Sequence, residues 1–190
     1  MSGIRKLAAE ATDNGLPPPE MAAGATRVKS AKTKGVRAGN WLSLPHAQVL
    51  LSAPDGQTTK GLRDRAILAT FLGCGLRRSE VAVLTFTHIQ KRDGSRCVVD
   101  LVGKHQRVRT VPMPTWVKLA IDGWTTAAGI NSGSAFRRID RADEAKDAVL
   151  NEKAVWQLLK EYAKAADVAG IAPHDSRRTC RSCAGRRVVN

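Results

Sequence analysis

The chain has 190 residues, with 31 Lys and Arg against 17 Asp and Glu, for a formal net charge of +14. That length suits one domain with an appendage, large enough to bury a core without disulfide staples or a structural metal. Hydrophobic content of 43% with 25% charged residues excludes a disordered or fibrous chain, and no apolar run approaches the roughly 18 residues of a membrane span. The opening residues MSGIRKLAAEATDNGLPPPE hold no apolar stretch for secretion, so the four cysteines are expected to stay reduced in a cytoplasmic protein. A pI near 10.3 favours a polyanionic partner, nucleic acid ahead of an acidic membrane surface.

Residues 4–12 form a short helical candidate, ended by Asp13-Asn14-Gly15 and the Pro17-Pro18-Pro19 run. Residues 26–37 (TRVKSAKTKGVR) carry Arg27, Lys29, Lys32, Lys34 and Arg37 with no acid, and read as an exposed basic linker able to touch phosphates nonspecifically. The compact part begins near Trp41. Ser43 as N-cap with Pro45 just inside predicts a helix to about Ser52, followed by a turn over residues 53–60. Residues 62–72 are apolar on nearly all sides and predict a buried central helix. Gly73-Cys74-Gly75 should break it, and a second short helix should run from Arg77 to about Leu84 with Val81, Val83 and Leu84 facing the core.

The period then changes. Residues 96–102 (RCVVDLV) are β-branched and short, Gly103-Lys104-His105-Gln106 is turn-like, and residues 107–111 (RVRTV) resume as a strand, which together predict a hairpin with Lys104 at its turn. Pro112 and Pro114 end the sheet. Trp116, Ala120, Trp124 and Ala127 mark the stripe of an amphipathic helix. Residues 129–150 are rich in Gly, Ser and mixed charge and predict a loop holding at most one short element. Asn151 can cap a helix with the stripe Val155, Leu158, Leu159, Tyr162 and Ala166, ending at Gly170. A last helix should begin near Pro173 and His174.

Three separated segments place cations where these elements can gather them: Arg77 in GLRRSE, Lys104 in VGKHQRVRTVP, and His174 with Arg177 in APHDSRRT. On a helix His174, Arg177 and Arg181 share one face. Each alone reads as a solvated surface charge. Together, two guanidiniums, an ammonium and an imidazole suit one phosphodiester: the arginines hold non-bridging oxygens, and Lys or His moves a proton.

In order and context, residues 41–179 resemble the catalytic domain of the tyrosine recombinase (phage integrase) family. The resemblance implies a mainly α fold with a small antiparallel β-sheet (α+β) against one side, lacking its C-terminal helices. It implies double-stranded DNA as partner, with no metal or nucleotide cofactor. It makes Arg77 and Arg177 clamps on the scissile phosphate, Lys104 the general acid to the 5′ leaving oxygen, His174 an aid to proton transfer and Glu80 a buttress, with Arg107 and Arg178 as further DNA contacts. Residues 1–40 then read as a remnant helix and basic linker of a core-binding domain, and residues 41–190 as the catalytic domain.

The sequence departs from the family in two places. Ser176 stands where the family has Leu, at the cost of about 1.5 to 3 kcal/mol of burial. The family's nucleophilic tyrosine lies well downstream of the H-x-x-R box, whereas the one tyrosine here, Tyr162, precedes it on an apolar stripe and reads as core. Residues 181–190 (RSCAGRRVVN) also lack an apolar stripe. The expectation is therefore a truncated or frameshifted copy that binds DNA but cannot cleave it alone. The alternatives are a catalytically silent DNA-binding protein, a partner of full-length recombinase protomers, or a non-functional remnant. Cys180-x-x-Cys183 has half the spacing of a zinc site without a second half, so no metal is expected.

Overall fold

The protein is described by a computed structural model, which places residues 2–16, 18, 20–21, 23–24, 42–102 and 108–168. The chain divides into two units, Met1–Ala38 and Gly39–Asn190. In the first, helix α1 spans Ser2–Asp13. It ends where Gly15 takes a positive φ of 71° and the Leu16 N–H returns to the Ala11 carbonyl at 2.9 Å.

The second unit begins with α2 (Leu44–Ser52), whose N-cap Ser43 accepts from the His46 N–H. The central helix α3 (Thr59–Cys74) follows, capped by the Thr58 hydroxyl through the Gly61 N–H. A second cap comes from far along the chain: Asp143, with φ of 61°, accepts from the Thr59 N–H at 2.6 Å and the Lys60 N–H at 2.8 Å. After the short α4 (Arg78–Ala82) and a 3-10 turn (Phe86–His88) come strands β1 (Ile89–Arg92), β2 (Ser95–Val102) and β3 (Val108–Pro112), paired antiparallel in that order. Helix α5 (Thr115–Ala127), the hairpin β4 (Arg137–Ile139) with β5 (Ala145–Val149), and α6 (Glu152–Ala165) complete the described chain. The architecture is mainly α with small antiparallel sheets, as the sequence predicts.

The core is built on α3. Ile67, Leu68 and Phe71 are fully buried, and α3 packs most extensively on α5, whose Trp124 is also fully buried. The Trp124 indole donates to the Ala135 carbonyl at 2.9 Å. That bond, with Ala135 N–H to Leu84 O at 2.8 Å, ties residues 130–136 into the core. The α3–α5 crossing needs Gly73: a Cβ there would lie 2.3 Å from Val117 Cγ2 and 2.8 Å from Trp116 Cζ2.

Several expectations are corrected. The turn after α2 stops at Thr58, because Thr58 and Asp143 cap a helix that starts at Thr59. The predicted break at Gly73 is a helical position, and the helix stops at Gly75, which takes φ of 58°. Val83 is 61% exposed rather than inward, because α4 covers only five residues and Val83 already lies past its end. Strand β1 had no sequence signal, since Ile89 is its only apolar side chain and the strand lies at the sheet edge. Residues 129–150 hold a two-stranded sheet and four buried core residues, Ile130, Ala135, Phe136 and Leu150. Helix α6 stops at Ala165, ahead of the predicted Gly170, because Asp167 takes the left-handed conformation (φ 52°) that Asp tolerates. Among the described residues no helix is long and apolar enough to cross a membrane.

Candidate active site

The site starts from a turn. Gly75 caps α3 in the left-handed region, with its N–H on the Phe71 carbonyl at 3.0 Å. Leu76, fully buried, then pins the chain to the core. These two residues deliver Arg77 to the N-cap of α4 with its side chain 36% exposed.

Three residues on, Glu80 is 4% exposed and folds back over this turn. Its carboxylate accepts from the Arg77 backbone N–H at 2.6 Å and from Arg77 Nη1 at 2.8 Å. The first bond is half of a capping box, which satisfies an orphan donor of the helix start. The second holds the guanidinium in one orientation.

Glu80 also takes a partner from the sheet. Arg109 Nη2 donates to Glu80 Oε2 at 2.6 Å. Arg109 lies in β3 opposite Leu101 of β2, and the next pair, Val108 with Val102, is the last before the connection that carries Lys104. One buried carboxylate therefore links α4 to the hairpin and holds two guanidiniums, which leaves the cluster one positive charge in excess. Arg77 and Arg109 both reach solvent, with side chains 36% and 29% exposed, so their free N–H donors can meet an anion. The Arg109 Nε is buried without a partner among the described residues. Glu80 thus acts as the hub of a cation pair.

Of the sequence-predicted residues, Arg77 and Glu80 are brought together as the motif implies. Lys104, Arg107, His174, Arg177 and Arg178, together with Arg27, Lys29, Lys32, Lys34 and Arg37, lie outside the described residues, as do His105, Ser176 and the Cys180 and Cys183 pair. Arg109 was missed. Its only signal was parity with Val111, and the alternation of RVRTV does not say which face is inward, because Val108 and Val111 have opposite parity.

Tyr162 lies in a second polar cluster. It is 9% exposed, and its hydroxyl donates to Asp64 Oδ2 at 3.0 Å. Asp64 is fully buried and also accepts from Lys60 Nζ at 2.8 Å and from Arg63 Nε and Nη2 at 2.9 and 2.6 Å. Burial pushes the Tyr162 phenol above its ordinary pKa, and the Asp64 charge pushes it further. Burial works against the Lys60 ammonium, but its hydrogen bond to Asp64 and that group's charge prevail and hold its pKa up. The cluster ties α3 to α6 and keeps Tyr162 a neutral, inward-facing phenol. Sequence reasoning saw Tyr162 as core but did not find Asp64, which lies inside the stretch 62–72 read only for its apolar residues.

Residues 40–184 match the phage integrase family. The chain is 31% identical over 163 residues to tyrosine recombinase XerD of Ralstonia nicotianae, covering 83% of this chain and 51% of that one. It thus spans about half the length of the curated relatives it matches. Among solved structures, XerA recombinase superposes with a TM-score of 0.59 at 18% identity, over 96% of this chain and 60% of that one. The XerH site-specific recombinase bound to palindromic difH substrate in a post-cleavage complex gives 0.63 at 13% identity, over 85% and 47%. The architecture is that of a tyrosine recombinase catalytic domain, and the chain belongs to the phage integrase family.

Proposed function

We propose that this chain binds duplex DNA and grips a backbone phosphate at Arg77, as the phosphate-activating part of a site-specific recombinase. The observation that carries the reading is the buried Glu80 carboxylate holding two partly exposed guanidiniums with a net positive charge. A carboxylate so placed fixes the arginines before the ligand arrives, so little ordering is left for the moment of binding. The solvent face of α6 supports the same partner. It presents Lys153, Trp156, Lys160 and Lys164, with Lys160 lying 4.4 Å over the Trp156 ring and none of the three lysines in an ion pair among the described residues. The XerH structure is of a recombinase on its DNA substrate, and that partner is carried to this chain on these grounds.

In the proposed site Arg77 and Arg177 bind the non-bridging oxygens and stabilise the charge that grows on phosphorus. Lys104 gives its proton to the 5′ oxygen as the P–O5′ bond breaks, and His174 assists proton transfer. Residues 1–40 serve as the end of a core-binding domain and its basic linker, and residues 41–190 as the catalytic domain. The attacking tyrosine is not Tyr162, whose hydroxyl is buried on Asp64. Strand cleavage by these residues therefore uses a tyrosine from outside them, on a longer chain or on a partner protomer; without one the protein occupies DNA silently.

A nicked suicide duplex tests this. We expect tight, salt-sensitive binding by the chain, lost on Arg77→Ala and kept in His46→Ala, with a covalent adduct only when a full-length relative is added. An adduct mapped to Tyr162 would overturn the assignment, and a flat salt response would overturn the DNA reading.

A further inference from the structure

We propose a second phosphate site at the other end of the three-stranded sheet, formed by Lys91 and Arg96, that holds a backbone phosphate of the duplex bound at Arg77. The inference rests on the DNA reading above. Lys91 of β1 stands directly opposite Arg96 of β2 in the antiparallel register. Side chains so paired share a face with Cβ atoms about 4.5 to 5.5 Å apart, and like charges there destabilise the sheet. By the two-residue period this face is the one on which the next pair, Ile89 with Val98, packs on the core. At the sheet's end the pattern calls for an apolar pair or an ion pair, and the chain instead sets two cations side by side.

Among the described residues no acid answers them. Neither Lys91 nor Arg96 makes an ion pair among the described residues, and neither does Asp93 in the connecting turn, which takes φ of 48° beside Gly94 at 78°. Both cations line a cavity of about 400 Å³ with Ser95, Met113, Pro114 and Thr115. The opposite wall is the start of α5, which has no acidic side chain in its first turn. Repulsion, exposure and an open concave space together fit an anion with several acceptor oxygens. A phosphodiester matches, since the guanidinium fork can span two oxygens while the ammonium acts as a point charge.

The site is distinct from the Arg77 cluster. Five steps of β2, from Arg96 to the Leu101 that pairs with Arg109, at about 3.3 Å place it about 17 Å from that cluster. On one DNA strand that separation is about five nucleotides. The pair thus holds a flanking phosphate and fixes the lie of the duplex across the sheet.

The test compares duplex affinity against salt for the unsubstituted protein, the double variant Lys91→Gln/Arg96→Gln, and Arg77→Ala. In the double variant the slope of log affinity on log salt should fall by about one, with affinity down about tenfold at moderate salt. Its unfolding midpoint should hold or rise, because a repulsion is removed. An unchanged slope in the double variant, with Arg77→Ala still impaired, overturns this inference and leaves the DNA reading intact. If neither variant changes binding, the DNA reading itself fails. Inorganic phosphate that raises the melting temperature of the unsubstituted protein but not of the double variant, with duplex binding equal in both, would assign the pocket to free phosphate and overturn the duplex assignment.

Discussion

Replacing Glu80 with glutamine keeps the side-chain shape and removes the charge that holds Arg77 and Arg109. The carboxylate accepts three bonds of 2.6 to 2.8 Å, from Arg77 N, Arg77 Nη1 and Arg109 Nη2. Glutamine retains one acceptor oxygen, and its NH₂ must face at least one of these donors. A hydrogen bond to a charged group contributes about 1.5 to 3 kcal/mol net, and breaking a buried pair costs about 3 to 5. Both guanidiniums are about a third exposed, so water recovers part of that loss. We therefore expect Glu80→Gln to destabilise by about 2 to 3 kcal/mol, or about 5 to 10 °C in Tm for a domain of this size. The assay is urea and thermal unfolding of four proteins: unsubstituted, Glu80→Gln, Arg109→Gln and the double variant. The cycle should show coupling above about 1 kcal/mol. Additivity within about 0.5 kcal/mol would refute the argument that Glu80 and Arg109 act as one unit across α4 and β3.

Two glycines should respond oppositely to alanine. Gly73→Ala is expected to destabilise by about 1 to 2 kcal/mol despite the better helix propensity, because the new methyl would lie 2.3 Å from Val117 Cγ2. Gly123→Ala in α5, where nothing lies within 4 Å, should stabilise by about 0.5 to 1 kcal/mol, and equal signs in urea midpoints would contradict this packing. Tyr162→Phe removes the bond to Asp64 and should cost about 1.5 kcal/mol at neutral pH. Tyr162 and Lys60 both have folded pKa values raised above their ordinary ones, near 10 and 10.5. Their stabilisation is therefore complete below about pH 10 and lost as pH rises through the folded values. The midpoint should drop as pH rises above about 10, less steeply in Tyr162→Phe, and a pH-independent midpoint would count against the Asp64 cluster.

Helices α2 and α6 were legible because a cap and a buried stripe agree, as Ser43 with Ala47, Leu50 and Leu51 illustrates. Helices α3 and α5 were legible from apolar content alone, although the buried face of α5 is Val117, Ile121, Trp124 and Thr125 and the predicted stripe runs on to an exposed Ala127. Elements too short or too polar to set a period were not. In β1, Gln90, Lys91 and Arg92 all face solvent, and β4 and β5 hide in RRIDRADEAKDAV because their partly inward residues, Arg137 and Ile139 in one and Ala145 and Ala148 in the other, do not keep a single apolar alternation. In the site, Arg77 with Glu80 was readable as a motif three residues apart on one turn, whereas the partnership of Glu80 with Arg109 spans 29 residues and two elements. A longer separation in sequence conceals Asp64, whose partner Tyr162 lies 98 residues on. Local pattern reports which face of an element is apolar; it is silent on which distant charge comes to meet a buried acid.

The bond from Asp143 to the first N–H groups of α3 bears on the order in which the molecule is made. Thr59 and Lys60 leave the ribosome more than 80 residues before the carboxylate that receives their N–H groups. At about 5 to 20 residues per second the helix at the centre of the core waits several seconds for this cap. During that interval α3 holds its first turn with Thr58 alone, and closing the loop to Asp143 adds a long-range contact of the kind that slows folding. The helix that looks most autonomous in the finished protein is thus completed by one of its later hairpins.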